Sequence, residues 1–347
     1  MTFKGFCSLT GLLCLFFCIF NSGVANAQTT HILNPSPTTV HWGHYRADLK
    51  PVLTINSGDI VIIDTVTSTA PEDFEEGGIP PGSIPQALRD IYKEYNPKER
   101  GPGSHILTGP IYINGAEPGD MLEIQIKDIK LTAPFGFNRN NVGWGTLPED
   151  FPYYAIRILK MDLDKMTTEL YPGVVVPLKP FFGHLGVAPT YGQGKIGSGP
   201  PGIHGGNLDN KELLPGTIVY LPIHIKGALF SAGDCHGVQG DGEVNLSALE
   251  TFGKGTFQLF VRKNKRIKWP RAETPTHYMS MGLHEDLNIA AKMAVKEMID
   301  FLYQEKGIDP EYGYMIVSLA GDLRVTQTVD GVKGIHVMMP KEIFVKK

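Results

Sequence analysis

A turn that opens onto a strand recurs along this chain and limits what it can become. Ser57-Gly58-Asp59 precedes Ile60 to Val66, Pro118-Gly119-Asp120 precedes Met121 to Ile129, and Pro215-Gly216-Thr217 precedes Ile218 to Ile225. Each pairs turn-forming residues with a largely alternating, β-rich run. The intervals are irregular, so the chain is no solenoid; a barrel or sandwich unit used repeatedly, by old duplication, fits better. With 40 glycines and 26 prolines, the chain carries the many turns of a strand-rich fold. Only the carboxy-terminal part departs from this. Leu287, Ala290, Ala291, Ala294, Met298, Phe301 and Leu302 keep helical spacing between Asp286 and Glu305, and Gly307 is a fitting stop. Asp309-Pro310-Glu311 then starts a second helix, expected to run buried through Tyr314 to Ala320 and to end at Gly321. The expected class is mainly β, with barrel or sandwich units and Gly-Asp turns over 50–265 and helical segments within 286–320.

The first residues read as an export signal. Lys4 gives a positive start, Leu12 to Phe20 an apolar core, and Ala25-Asn26-Ala27 a small-residue cleavage box. Residues 1–27 would be removed, leaving one domain at 28–347 in a periplasmic or extracellular protein. The apolar run is too short for a membrane span, and no later stretch is long enough. Of four cysteines only Cys235 would remain, so no intrachain disulfide can form. A net charge of −4 without a basic cluster argues against a nucleic-acid partner.

Two long loops interrupt the strands. Residues 68–104, rich in Pro, Gly and acids with a short helix at Gln86 to Tyr95, read as a lid or dimer arm and not as core. Residues 132–150, with Phe135, Phe137, Asn138 and Trp144, read as a source of substrate contacts. Tyr154 to Leu159 and Gly173 to Leu178 read as strands. His31, His41 and His44, interleaved with Trp42 and Tyr45, could line a pocket, although ordinary hydrogen bonding is the plainer reading.

The densest chemistry lies in Phe230 to Glu243. Asp234 and His236 are two apart, so on extended backbone both leave one face, and Asp241 and Glu243 repeat the spacing beyond Gly240. Two such pairs could face each other across a hairpin and hold a divalent cation, which would polarise an amide carbonyl or acidify a water. The plainer readings are a solvated turn and a calcium-stapled loop. A second constellation, His204-Gly205-Gly206-Asn207-Leu208-Asp209, offers imidazole, amide and carboxylate. Its glycines could approach a ligand or turn their amides toward an oxyanion, and the plainer alternative is a surface loop. His105, after a glycine-containing loop, is a second-tier ligand. Cys235 could serve as a thiol nucleophile, yet in an extended strand it points away from Asp234 and His236.

With these residues in hand, the chain resembles the acetamidase/formamidase family of amide hydrolases. The likeness rests on His-x-Leu-Thr-Gly-Pro-Ile at 105–111, Gly-Ala-Glu-Pro-Gly-Asp at 115–120 and His-Gly-Gly-Asn-Leu-Asp at 204–209. It continues in Leu-Phe-Ser-x-Gly-Asp-x-His-x-x-Gln-Gly-Asp-Gly-Glu at 229–243, Thr-His-Tyr-Met-Ser-Met-Gly at 276–282 and Ala-Val-Lys-Glu-Met-Ile-Asp-Phe-Leu at 294–302. The resemblance implies a mainly β fold with a helical carboxy-terminal part and a homodimer. It also implies hydrolysis of a small-molecule carboxamide to carboxylate and ammonia, and a divalent metal, zinc first and calcium as the alternative, in a cleft shared by the two constellations. In that setting Asp234 and His236 would hold the cation with His105 or Asp209. Glu243 would be general base or a further ligand, and Asn207, Gly205 and Gly206 would steady the oxyanion. The export signal and the loops at 68–104 and 132–150 depart from the pattern.

Overall fold

The computed structural model describes residues 28–345, together with residues 1, 2 and 5. The expected signal at 1–27 otherwise lies outside the described residues. Two large sheets face each other. The first runs in the order Thr30–Leu33, Ile60–Thr65, Gly253–Arg262, Met121–Leu131, Ile218–Pro222, Arg271–Glu273, His277–His284, Lys333–Pro340, Asp322–Gln327. The second runs Val174–Pro177, Thr167–Tyr171, Ala155–Asp162, Phe135–Asn140, Glu250–Thr251, Phe230–His236, Phe181–Gly186, Gly205–Asn207, and Ile106–Ile113 also pairs with Phe230–His236. Between them lies a core in which Ile63, Ile124, Phe257 and Leu221 of the first sheet meet Phe182, Leu185, Phe230 and Ile111 of the second. This is a sandwich, as the recurring turns and strands predict.

The three turn-strand units all open strands of the first sheet. Gly58, Gly119 and Gly216 have φ of 99°, 91° and 91°, a left-handed conformation that a side chain would strain. The two aspartates tie their own turns, with Asp59 accepting from the Asn56 N–H at 2.9 Å and Asp120 from that of Glu117 at 3.0 Å. Strands also lie outside the 50–265 window, at Thr30–Leu33, Val40–Trp42 and His44–Tyr45 before it and from Arg271 to Pro340 after it.

The first carboxy-terminal helix, Leu287–Lys306, begins at an Asp286 cap that accepts from the Asn288 and Ile289 N–H groups and ends at left-handed Gly307. It lies so close on the His277–His284 strand that a Cβ at Gly282 would stand 2.0 Å from the Ala290 carbonyl oxygen. The second helix, Pro310–Ala320, corrects the expectation of burial. Only Gly313 and Val317 are covered, while Tyr312, Tyr314, Met315 and Leu319 are exposed. Its apolar residues surround the axis, so periodicity could not say which stripe packs.

Residues 68–104 are a second correction. They form the helices Pro71–Glu76 and Gln86–Glu94, and Phe74, Ile79, Ile84, Leu88 and Ile91 are buried against Phe135, Phe137 and Phe252. The acidic composition hid a small core, because the apolar residues are spread over two short helices and the turn joining them. Residues 132–150 divide likewise. Phe135–Asn140 is a strand with both phenylalanines buried, and only the part around Trp144 is an exposed loop.

Candidate active site

The Phe230–His236 strand carries Asp234 to the wall of a cavity of about 620 Å³, with His236 buried beside it. Asp234 does not sit in regular extended backbone, as the spacing argument assumes; its φ is +59°. The kink still brings its Oδ2 to 3.1 Å from His236 Nε2, and Glu250 Oε2 reaches the same nitrogen at 3.1 Å. Glu250 arrives by register, since it stands directly across the ladder from His236.

Gln239 fixes the imidazole. Its amide nitrogen donates to the Asp209 carbonyl at 2.7 Å, so its oxygen is the atom left to accept from His236 Nδ1 at 3.0 Å. Nε2 then faces Asp234 and Glu250, each at 3.1 Å, and Asp209 at 4.0 Å. Burial alone would lower the imidazole's proton affinity, but Glu250 and Asp234 raise it well above the usual value.

The second constellation folds beside the first. Gly205–Asn207 pairs with Phe181–Gly186, which pairs in turn with Phe230–His236. Asn207 and Asp209 reach the cavity, and Gly205 and Gly206 are left-handed at φ 77° and 79°. The Gly205 N–H donates to the Gly202 carbonyl at 3.0 Å and Gly206 pairs with Leu185, so the expected presentation of the Gly205 amide to an oxyanion is not found. His204 packs against the Tyr45 ring with centroids 5.0 Å apart, behind the cavity. His105 lies beside the cluster, its Nε2 3.9 Å from Asp234 Oδ2 and its Nδ1 2.9 Å from Ser198 Oγ. Glu243 is buried in the wall, whereas Asp241 turns outward to Arg324 at 2.8 Å and Lys211 at 3.1 Å. The expected two facing pairs therefore do not form.

Three members of the cluster escaped the sequence reading. His184 is buried, its ring 4.4 Å from that of His105 and its Nδ1 3.2 Å from the Tyr45 hydroxyl. Burial and the neighbouring His105 hold its proton affinity well below the ordinary value, so it is a neutral ligand-type imidazole. Its position in the Gly-rich passage after Gly183 was the available signal. Glu250 had none beyond its place on a strand. Asp330 comes from a distant turn, brought in where Gly242 pairs with Gln327, whose side-chain oxygen accepts from the Val329 and Asp330 N–H groups.

The cluster calls for positive charge. Burial, then the nearness of Glu243 and Asp330, raises Asp209 well above the usual carboxyl range, and burial with Asp330 does the same to Glu243. Asp330 is pushed up to about 7, chiefly by burial. Asp234 goes the other way: burial opposes its ionisation, but His236 and His105 hold it far below the ordinary value. His184 Nε2, Asn207 Oδ1, Asp209 Oδ1, Glu243 Oε2 and Asp330 Oδ2 are all buried without a hydrogen-bond partner. Orphaned donors and acceptors are rare in a native interior; four of these residues line the cavity and His184 packs on His105, which lines it too, an arrangement a cation and its water would satisfy. Among the described residues three sets could hold an ion: His105, His184 and Asp234; Asp209, His236 and Glu243; Asp234, His236 and Glu250. Gly183 leaves the room, since a Cβ there would lie 2.5 Å from both Asp209 Oδ1 and Asp234 Oδ2. Cys235 stays out of it: its side chain belongs to the core between the sheets, and burial pushes its thiol up to about 12.

The profile of the acetamidase/formamidase family matches residues 28–193 and 196–346. A formamidase from Methylophilus methylotrophus is 27% identical over 320 residues, 69% of this chain and 77% of that one. A Schizosaccharomyces pombe protein, described provisionally as a formamidase, is 28% identical over 46% of this chain, which spans about half, 52%, of its length. The crystal structure of an acetamidase from Bacillus halodurans superposes with a TM-score of 0.76 at 32% identity, covering 90% of this chain and 98% of that one.

Proposed function

The chain belongs to the acetamidase/formamidase family of amide hydrolases, and from that premise we propose that it hydrolyses a primary carboxamide to carboxylate and ammonia in the 620 Å³ cavity, with a bound divalent cation. One observation carries this reading: Asp209, Asp234, Glu243, Glu250 and Asp330 line that cavity together with His105, and buried oxygens of Asp209, Glu243 and Asp330 have no hydrogen-bond partner. His105, His184 and Asp234 would hold the cation, with His236 beside Asp234, and zinc suits this imidazole-carboxylate set better than calcium, which prefers oxygen. When bound, the ion supplies a Lewis acid for the amide carbonyl and a lower pKa for water.

The chain's own groups do the rest. Glu243, whose buried Oε2 is free and whose surroundings raise its proton affinity, takes the proton of the attacking water and passes it to the departing nitrogen. A C–O bond forms, the C–N bond breaks, and the nitrogen leaves as ammonia. The Asn207 amide steadies the oxygen that carries charge at the tetrahedral stage, and Gln239 keeps His236 from turning. The protein works outside the cytoplasm after loss of residues 1–27, as a homodimer. Support for the dimer is the exposed apolar face of Tyr312, Met315 and Leu319, a surface of the kind subunit contacts cover.

Ammonia release from a panel of primary amides, with and without chelator, tests the activity. Glu243→Gln should retain the metal and lose about 10²–10⁴-fold in kcat. Full activity of that variant would remove Glu243 from the base role, and no turnover on any amide would remove the hydrolase reading.

A further inference from the structure

We propose that the cavity continues into an apolar subsite around Trp144 that takes the acyl chain, so the substrates are primary amides of medium alkyl or arylalkyl acids and not formamide or acetamide. This rests on the hydrolase reading and extends it to a substrate class.

Beside the catalytic cavity lies a trough of about 550 Å³, walled by Leu147, Phe151, Tyr153 and Val244. Trp144 lines both spaces, so the trough adjoins the cavity across the Trp144 side chain. Its walls are open to water, with Trp144 50%, Leu147 55%, Phe151 46% and Val244 61% exposed. Apolar side chains gathered around one hollow at a reactive cleft mark a binding surface.

The trough is built onto the catalytic turn. Glu243 faces the cavity while Val244, the next residue, faces the trough. The Thr146 N–H donates to the Val244 carbonyl at 2.8 Å, and Asn138 and Asn245 exchange side-chain hydrogen bonds at 2.6 and 3.3 Å. A chain lying in the trough is thereby fixed relative to Glu243, which is what positioning a scissile amide requires. Size agrees, since an acetamide of four heavy atoms would leave most of the 620 Å³ to water.

The test is the ratio of kcat/KM along the series acetamide, butyramide, hexanamide and phenylacetamide, by ammonia release from metal-loaded full-length protein. Full burial of a methylene is worth about fourfold, roughly 0.8 kcal/mol, so hexanamide should exceed acetamide by at least about tenfold even with the trough half open. Trp144→Ala should cut that ratio about tenfold and Trp144→Phe should restore most of it. If Trp144→Ala does not fold, Val244→Ser should reduce the ratio in the same direction. A flat or falling series overturns the subsite and leaves the hydrolase reading standing. An unchanged ratio with a dimer converted to monomer by Trp144→Ala assigns the trough to a subunit contact and overturns it too. No ammonia from any amide overturns both readings.

Discussion

Replacing Gly183 by alanine isolates the cluster from the rest of the fold. Gly183 sits in the Phe181–Gly186 strand with ordinary negative φ, so a methyl group costs nothing in backbone strain. What it meets is chemistry: Asp209 Oδ1 and Asp234 Oδ2 at 2.5 Å and His236 Cε1 at 3.0 Å, where ordinary contact begins at 3.4 Å. Each carboxylate oxygen is therefore about 0.9 Å too close and must retreat. Asp234 has little freedom, because His236 holds the same oxygen at 3.1 Å. Overpacking of this kind costs roughly 1–3 kcal/mol, a loss of a few degrees in Tm. The functional loss should be far larger, since a displacement near 1 Å at reacting groups costs on the order of 100-fold. Metal content after dialysis, kcat/KM for the best amide, and Tm are measured on Gly183→Ala beside Gly192→Ala, whose Cβ meets nothing within 4 Å. The expectation is a folded Gly183→Ala with depleted metal and at least about 100-fold lower kcat/KM, and a Gly192→Ala control that behaves as the parent. Parental metal content and turnover in Gly183→Ala would refute the assignment of this cavity.

Other perturbations separate fold from chemistry. Cys235→Ala should keep full turnover and lose about 1 kcal/mol of stability in chemical unfolding, because the thiol is buried packing; lost turnover with Tm maintained would revive the nucleophile. Phe74→Ala should cost about 3–5 kcal/mol in the same assay, since Phe74 is fully buried beneath Phe135 and Phe252. A cost below about 1 kcal/mol would mean that residues 68–104 are an appendage after all. Asp120 is buried, which alone would raise its pKa, yet Lys263 and the Asn264 and Glu117 N–H groups hold it below the ordinary value. Its contribution to stability is thus present above about pH 4 and lost as pH falls through the lowered folded value. Asp120→Asn should therefore show a lower Tm at pH 7 and a shallower fall toward pH 3, and an acid limb as steep as the parent's would contradict this.

The strand skeleton was legible because turn chemistry is local: Gly58, Gly119 and Gly216 announce left-handed backbone, and the next residues alternate. The Leu287–Lys306 helix was legible for the same reason, with its cap and stop written at its ends. Burial of the second helix was not, since Tyr312, Tyr314 and Leu319 are as apolar as the residues that pack. In the cavity, Asp234 and His236 could be paired from their spacing, and Asp209 and Glu243 from their density. Asp241 was mistaken for a partner because the spacing of two is blind to Arg324 and Lys211, which arrive from elsewhere. His184, Glu250 and Asp330 reach the site through sheet pairing between distant segments, and a single sequence does not record which strands lie side by side.

Asp209, Asp234 and Glu243 hold φ values of 43°, 59° and 44°, where glycine or asparagine would rest with less strain. At these three places heat resistance and reactivity ask for different residues. A population of variants selected only for surviving high temperature, with no reward for turnover, should drift there first, toward a sturdier and inert protein. Designers borrowing the cleft would need to copy its contorted main chain, because the same acids hung on regular strands would point elsewhere.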